Sequence, residues 1–394
     1  MAKDQPSLTP FLMICLIGFL SFLSSYLRMP VLPLYAATLG AGPAEVGVIN
    51  GAYLLTAGLF SIPSGLLADR IGRTLPIVVG IVAMAISSLL IPLCSSPVQM
   101  AAAYVLFGGG IAAFGPSMLS LVADVMPSGR LGQAYGWYTS VIYVAMTVGP
   151  AAGGFLAKSI GLREVFIISG SGSLAVAFLA LFFLPKSPPR HRSDMHSVLT
   201  ASFELLHNQW LISCLIATVG SCVAFGVFFT FLPLYATSCG YDPAQVGMLF
   251  AAQALTNVVS RIPIGFVADR IDRRLIINAG LFCIAVALIA MGQTVQLIPL
   301  LICSIVLGAG MALAYTAIGV LIAEQVPAMQ RGLAMGMYNS CIFLGMMTGS
   351  TVMGVALKKI GYPLGFAISG GVALISLVWF ASMLRKAQRD TAPR

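Results

Sequence analysis

Long apolar runs, separated by short polar turns, make up most of this chain. A helix needs about 20 mostly apolar residues to cross the hydrocarbon core of a bilayer, and the runs have about that length. The pattern therefore predicts an all-α polytopic membrane protein. Its transmembrane helices, about twelve in number, are expected at residues 10–38, 44–66, 74–94, 98–122, 132–158, 163–184, 209–238, 244–266, 274–292, 296–322, 332–358 and 362–384.

The second half of the chain repeats the first at a constant offset. Residues 32–36 read Leu-Pro-Leu-Tyr-Ala and recur as residues 232–236, which is 200 positions later. Two six-helix halves with the same orientation are parallel repeats, related by an axis along the membrane normal. We therefore predict an N-terminal half at 1–184, a cytoplasmic linker at 185–208 and a C-terminal half at 209–394.

Composition supports the membrane assignment and suggests an orientation. The chain is 59% hydrophobic and only 8% charged, whereas a soluble domain has about 25% charged residues. Most of the 21 Lys and Arg residues fall on the side of the membrane that holds both chain ends. Because cytoplasmic turns are enriched in Lys and Arg, we expect both termini in the cytoplasm of a cell with a bacterial-type inner membrane.

Several classes of function lack support in the sequence. No run of basic residues is interleaved with aromatic residues, so we expect no nucleic-acid partner. The 8 cysteines show no metal-ligand spacing. There is also no phosphate-binding glycine loop and no nucleophile elbow. We therefore expect no metal, no cofactor and no enzymatic activity.

A charged turn between the second and third predicted helices occurs twice. Residues 65–74 hold three charges and two glycines, and residues 265–274 repeat the pattern. Arginines keep such a turn at the water side, and glycines let the backbone turn tightly. The pattern Gly-x-x-x-Asp-Arg-x-Gly-Arg, from Gly65 to Arg73, resembles the loop signature of the major facilitator superfamily. This resemblance covers nearly the whole chain and implies the major facilitator fold and transport by alternating access.

The resemblance also implies gate charges at the cytoplasmic ends of the helices. Each half would contribute one cluster, beside the start of a helix from the other half, and the clusters would hold the halves together in the outward-facing state. The alternative is that these charges only set the topology. The implied clusters are Asp69, Arg73 and Asp124, and Asp269, Arg273 and Glu324.

The fifth predicted helix is rich in small residues. Small residues let helices approach closely, and proline can kink a helix because it lacks a backbone donor. The pattern resembles the antiporter signature of drug-efflux facilitators, although Ala145 replaces one glycine. Tyr104 is a second departure, since drug–proton antiporters usually have arginine there. The expected helix-packing residues, including two from the charged turn, are Gly65, Gly72, Gly136, Gly149, Pro150, Gly153 and Gly154.

Two arginines, Arg28 and Arg261, lie inside predicted helices. A charge at the bilayer centre costs at least about 2.5–3.5 kcal/mol, so it normally faces a cavity or a partner. Arg28 either binds an anionic group of a substrate or bonds to backbone carbonyl groups, and the sequence favours neither. For Arg261, snorkelling to the cytoplasmic water is slightly favoured over substrate binding. The other candidate cavity residues are polar or aromatic residues within helices: Tyr26, Asn50, Tyr53, Tyr104, Tyr143, Gln253, Asn257, Tyr315 and Asn339.

The preferred function is export of small amphipathic compounds by a secondary transporter, which we expect to be a monomer in the lipid bilayer. Uptake or exchange of an organic anion, bound by Arg28 and also by Arg261, is the alternative. A sensor or scaffold without transport is a remote third interpretation. Protons are the candidate coupling ion, although no acid lies near the centre of a predicted helix. Proton coupling would then depend on acids at helix ends, such as Glu45, Asp124 or Glu324.

Overall fold

The computed structural model describes residues 8–127, 130–186, 204–268, 271–327 and 330–391. Within these ranges the regular structure is helical throughout, with one short 3-10 helix at Ile91–Leu93 and no strand. The α-helices are α1 (Leu8–Leu27), α2 (Val31–Thr38), α3 (Pro43–Ile71), α4 (Thr74–Leu90), α5 (Pro97–Val125), α6 (Leu131–Ile160), α7 (Leu162–Phe183), α8 (Gln209–Ser238), α9 (Pro243–Ala268), α10 (Arg273–Gly292), α11 (Leu297–Gln325) and α12 (Arg331–Thr391).

The outer surface of the helices is apolar, as the membrane assignment requires. Phe182 and Val378 are 67% and 64% exposed, while the polar side chains of Ser169 and Ser304 are buried. A soluble protein rarely exposes large apolar patches, whereas lipid is a suitable neighbour for them. In the described part of the chain, 10 segments are long and apolar enough to cross a membrane. The protein is therefore an all-helical, multi-pass membrane protein, which confirms the predicted fold class.

The first predicted span, 10–38, is confirmed as one membrane-length segment at Thr9–Thr38, but its helix is interrupted. Helix α1 ends at Leu27, and α2 begins at Val31. Pro30 has no backbone N–H and disfavours helical geometry at the residue before it. The N–H groups of Val31 and Leu32 instead donate to the carbonyl of Arg28, at 3.1 and 2.9 Å. This break places Arg28 at the end of a helix inside the membrane.

The last two predicted spans are joined into α12, in which Gly361 has non-helical geometry. Its φ is +74°, and the equivalent Gly161, between α6 and α7, has φ +112°. Positive φ is readily adopted by glycine, so both halves change direction at the same position of the repeat. Helix α12 also continues to Thr391, beyond the predicted end at 384.

The division of the chain into halves places α1–α7 in the first half and α8–α12 in the second. Residues 187–203 of the predicted linker lie outside the described residues, so the domain boundaries stay a prediction. We call the side of the molecule with Gly72 and Pro185 the linker face. The side with the turns at Gly40 and Gly240 is the opposite face.

Two equivalent helix pairs join the halves: α3 packs along α12, and α6 packs along α9. Near the opposite face these contacts are very close. A Cβ atom added to Gly154 would lie 3.0 Å from the Cα of Gly247, and one added to Gly354 would lie 3.3 Å from the Cα of Gly47. The halves are therefore tightly closed on the opposite face.

Toward the linker face these helices are less tightly packed. A Cβ atom added to Gly136 of α6, or to the equivalent Gly336 of α12, would meet no atom within 4 Å. Trp137 is 62% exposed. At these positions α6 and α12 therefore make none of the close contacts that join the halves on the opposite face.

Candidate substrate site and gate charges

Arg28 lies at the break after α1 and is only 1% exposed. Its Nη1 donates a hydrogen bond of 2.8 Å to Ser88 Oγ on α4. Ser88 Oγ lies 3.3 Å from Ser169 Oγ on α7, which in turn donates to the carbonyl oxygen of Ser24 at 2.6 Å. Arg28 thus reaches a backbone carbonyl only through two serine hydroxyls. The Nη2 of Arg28 is buried and has no hydrogen-bond partner.

Aromatic rings surround the guanidinium group of Arg28. Its central carbon lies 3.5 Å from the ring centroid of Phe107 and 5.0 Å from that of Tyr104. Tyr53 contacts both rings, with centroid distances of 5.3 Å to Phe107 and 5.9 Å to Tyr104. The ring of Tyr53 also lies 6.5 Å from that of Phe229 in the second half. A line of aromatic contacts therefore connects Arg28 with the interface between the halves.

Three other candidate residues meet across the halves. The guanidinium carbon of Arg261 on α9 lies 4.3 Å from the ring centroid of Tyr143 on α6. Arg261 Nε donates to Asn257 Oδ1 at 3.0 Å, and Asn257 Nδ2 donates to the carbonyl of Gly308 at 3.3 Å. In this conformation the guanidinium group is thus held by Asn257 and turned toward the first half. Snorkelling to water, the interpretation favoured from the sequence, does not describe these contacts.

The remaining candidate cavity residues are scattered. Gln253 Nε2 lies 3.2 Å from the sulfur of Met311, and Tyr315 Oη lies 3.2 Å from the sulfur of Cys222. Asn50 is buried, and Tyr26 is half-buried. Asn339 is exposed, two turns from the start of α12. The structure therefore does not unite all the candidates in one site.

The small residues of α6 contact two different helices. A Cβ atom on Gly149 would lie 2.6 Å from Tyr26 Cβ, and one on Gly153 would lie 2.9 Å from Leu27 Cα. This face of α6 therefore holds the end of α1 and sets the position of Arg28. Gly154 instead contacts α9 of the other half.

The other expected packing residues have different roles. Pro150 lies within α6, which continues through it. Gly72 ends α3 with φ +90°, and a Cβ atom on Gly65 would make only an ordinary contact, at 3.9 Å from Pro116. Gly136 has open space around it. In this conformation, close packing is therefore limited to the part of the signature from Gly149 to Gly154.

The implied gate charges associate within each half. The side chain of Arg73 is largely buried, and it pairs with Asp69 and, at 3.3 Å, with Asp124. Arg273 pairs with Glu324 at 2.7 Å, while Asp269 lies outside the described residues. The pairs of Arg73 join α3, the start of α4 and α5, and the pair of Arg273 joins α10 and α11. Because each pair lies within one half, the role of these charges between the halves stays a prediction.

Sequence reasoning missed an ion pair that does join the halves. Lys158 Nζ, at the end of α6, lies 2.8 Å from Asp242 Oδ2, just before α9 on the opposite face. The hydrogen bond from Lys158 lowers the pKa of Asp242 below its ordinary value, and backbone N–H groups of the helix start contribute. The first half has Gly42 at the equivalent position. That difference between the repeats was the signal that could have identified Asp242.

No group of His, Cys, Asp and Glu residues suited to a metal ion occurs in the described ranges. The arrangement instead provides an interface between two helical bundles with apolar and aromatic walls. One buried charge lies behind that wall, and closing contacts lie at one end. These features fit binding and movement of a small molecule.

Comparison with known proteins is consistent with this architecture. The model of the Major Facilitator Superfamily matches residues 14–244 and 214–394. Multidrug resistance protein MdtG of Citrobacter koseri is 28% identical over 389 residues, which cover 95% of each chain. An uncharacterized MFS-type transporter of Methanocaldococcus jannaschii is 27% identical over 336 residues, which cover 84% of this chain and 87% of the relative.

Solved structures show the same fold at low sequence identity. A bacterial homolog to the human lysosomal transporter Spinster, in an inward-facing and occupied conformation, has a TM-score of 0.83, with 16% identity and full coverage of both chains. The nucleoside transporter NupG has a TM-score of 0.81, with 16% identity over 95% of this chain and 99% of that chain. Since the family model covers nearly the whole chain, the protein belongs to the Major Facilitator Superfamily.

Proposed function

We propose that the protein is a secondary transporter that exports small amphipathic organic compounds by alternating access. The observation that carries this proposal is the apolar cluster between the halves. Buried Leu54, Cys222 and Met346 form its centre, and the rings of Tyr53 and Phe229 lie beside them. Aromatic rings and flexible methionine side chains can pack against lipophilic molecules of varied shape. The similarity to multidrug resistance proteins of the MdtG type supports the same class of substrate.

Alternating access follows from the two pairs of helices that join the halves. The glycine contacts of α6 with α9, and of α3 with α12, close the opposite face. For the compound to leave there, these contacts must separate while the linker face closes. Because the two pairs are equivalent in the repeat, a rocking motion of one half against the other opens both together.

We place the transporter in the inner membrane with the linker face and both termini in the cytoplasm. The excess of Lys and Arg on that side supports this orientation. The structure is then the inward-open state, which receives a compound from the cytoplasm. Protons are the proposed coupling ion, taken up by acids at helix ends, and a monomer is the proposed functional unit.

Uptake or exchange of an organic anion is the second candidate. The buried and only partly bonded guanidinium group of Arg28 favours it. This candidate differs from export in the direction of net movement, so a directional assay separates the two.

The test uses inside-out and right-side-out membrane vesicles from cells that express the protein. The probes are a lipophilic cationic dye and pyrenebutyrate, an amphipathic anion. Export predicts accumulation of at least one probe in energised inside-out vesicles. Gly154→Leu, which prevents close contact with Gly247, is the inactive control. Accumulation only in right-side-out vesicles would support uptake, and no accumulation in either type would overturn both candidates.

A further inference from the structure

The guanidinium group of Arg28 is held in a fixed orientation. Because Ser169 donates its proton to the Ser24 carbonyl, Ser88 donates to Ser169 and accepts from Arg28 Nη1. The rings of Phe107 and Tyr104 cover the group, with the Phe107 centroid 3.5 Å from the guanidinium carbon. The bond from Nη1 to Ser88 and the ring contacts therefore fix the planar guanidinium group, and with it the position of Nη2.

That other edge includes Nη2, which is buried and has no hydrogen-bond partner. An unpaired charged donor is costly inside a protein, and more so within a membrane. Among the described residues, no carboxylate lies within 4.0 Å of Arg28. Among the described residues the positive charge of Arg28 thus faces aromatic rings but no carboxylate, and one of its donors has no acceptor.

The second half shows that the fold does not require this charge. The position equivalent to Arg28 is Phe228, and the position equivalent to Ser88 is Leu288, and both are fully buried. Phe228 packs against Phe250, with ring centroids 5.3 Å apart. The second half therefore has an apolar centre at this position, on a helix that continues through Phe228, so the charge is specific to the first half, where α1 ends at Leu27.

The aromatic contacts indicate what kind of molecule would reach Arg28. Half-buried Tyr53 lies between the ring of Phe107 beside Arg28 and the ring of Phe229 across the interface. A molecule with a lipophilic body along Tyr53 and Phe229 would bring an attached oxyanion to the side of the aromatic cluster where Arg28 lies. Arginine suits this role because its planar donor group matches a carboxylate.

We propose that Arg28 binds the anionic group of the transported compound, so that the preferred substrates are amphipathic organic anions, with carboxylates as the class. This inference rests on the proposed function, because it names the substrate class of that transporter. It assigns a specificity role to Arg28 that holds for either direction of transport.

The test compares pyrenebutyrate with its uncharged amide on the purified full-length protein, by fluorescence titration. The wild type should bind the acid about tenfold or more tightly than the amide, the effect expected from one hydrogen bond between charged groups. Arg28→Phe, which copies the residue of the second half, should reduce the ratio to about one. Arg28→Lys should recover only part of the preference. Arg163→Gln, at an exposed arginine on the opposite face, is the matched control and should keep the wild-type ratio.

Each outcome has a separate meaning. Equal binding of acid and amide by the wild type overturns the role of Arg28 and leaves the proposed export function intact. A preference that persists in Arg28→Phe also overturns it. If neither probe binds to the wild type or accumulates in vesicles, the proposed function fails as well. If Arg28→Phe does not fold, Ser88→Ala is the second variant. A preference for the acid that is unchanged in both Ser88→Ala and Arg28→Lys would then overturn the proposal.

Discussion

Asp242 and Lys158 join the two halves on the opposite face through groups that remain partly in water. Their side chains are 35% and 57% exposed, so the pair contributes only about 0.2–1 kcal/mol to closing that face. The pairing lowers the pKa of Asp242. The contribution is therefore fully present above the ordinary pKa of an aspartate, about 3.9. It is lost as the pH falls through the lowered pKa of the paired state.

The corresponding prediction is a pH dependence confined to acid conditions. Spin labels at Ser159 and Gln245, at the ends of α6 and α9, should report an unchanged distance distribution from about pH 8 to 5. A longer-distance population should grow as the pH falls below about 4. Asp242→Asn should show that population at every pH. A transition centred between pH 5 and 8 that Asp242→Asn removes would contradict this assignment.

The sequence identified Arg28 as an unusual residue but could not identify its partners. A lone arginine in an apolar run is visible in any hydropathy pattern, whereas Ser88 and Ser169 resemble the many small polar residues of membrane helices. Their relation to Arg28 depends on how α1, α4 and α7 pack. Comparison of Arg28 with Phe228 was possible from the repeat alone and was the strongest available signal.

Among the elements, α6 offers a direct test of helix packing because its glycines differ in their surroundings. A Cβ atom on Gly149 would lie 2.6 Å from Tyr26 Cβ, whereas one on Gly136 would meet nothing within 4 Å. Gly149→Leu should therefore lower stability by about 1–3 kcal/mol through overpacking and abolish transport. Thermal unfolding in detergent and vesicle transport provide the two measurements.

Gly136→Leu is the matched control on the same helix. It should change the stability of this conformation by no more than about 0.5 kcal/mol, as is usual at sites without close neighbours. A stable and fully active Gly149→Leu protein would mean that the contact between α6 and α1 is not required. Equal destabilisation by both substitutions would point to a general effect of leucine in this helix.

Prolines explain why helix boundaries were only partly predictable. Pro63, Pro116, Pro150 and Pro233 lie inside continuous helices, whereas Pro30 lies in the break between α1 and α2. In a membrane, packing against neighbouring helices can compensate for the donor that proline lacks. Sequence alone therefore shows where a helix can break. At the break after Leu27, which does occur, Gly153 of α6 packs against the last residue of α1.

At the scale of the whole molecule, the repeat made the architecture predictable and left the conformation open. A fixed offset of 200 residues relates the turns at Gly40 and Gly240 and those at Gly161 and Gly361, and all four glycines have positive φ. The same repeat cannot show which face is closed, because both states of a rocking transporter use the same sequence. That information came from the contacts of Gly154 and Gly354 on the opposite face.

One cluster of charges lies near the linker face, which is the less tightly packed end in this structure. Arg73 is buried between Asp69 and Asp124, and all three belong to the first half. If this cluster holds α12 when the linker face closes, removing one carboxylate weakens the closed state more than the open one, in which Asp124 still pairs with Arg73. Asp69→Asn should therefore shift the population toward the open linker face and reduce transport without abolishing expression.

A cysteine introduced by Gly136→Cys measures that shift, because position 136 has free space in the open state. Its labelling by a water-soluble maleimide should be faster in the Asp69→Asn background. Gly247→Leu should slow it, because a side chain there would meet the Cα atoms of Gly154 and Ala151 at 3.2 and 3.3 Å and oppose closure of the opposite face. Faster labelling in Asp69→Asn and slower labelling in Gly247→Leu would show that the charges of the first half control how the two halves are arranged. Unchanged labelling together with normal transport in Asp69→Asn would show that these charges serve topology alone.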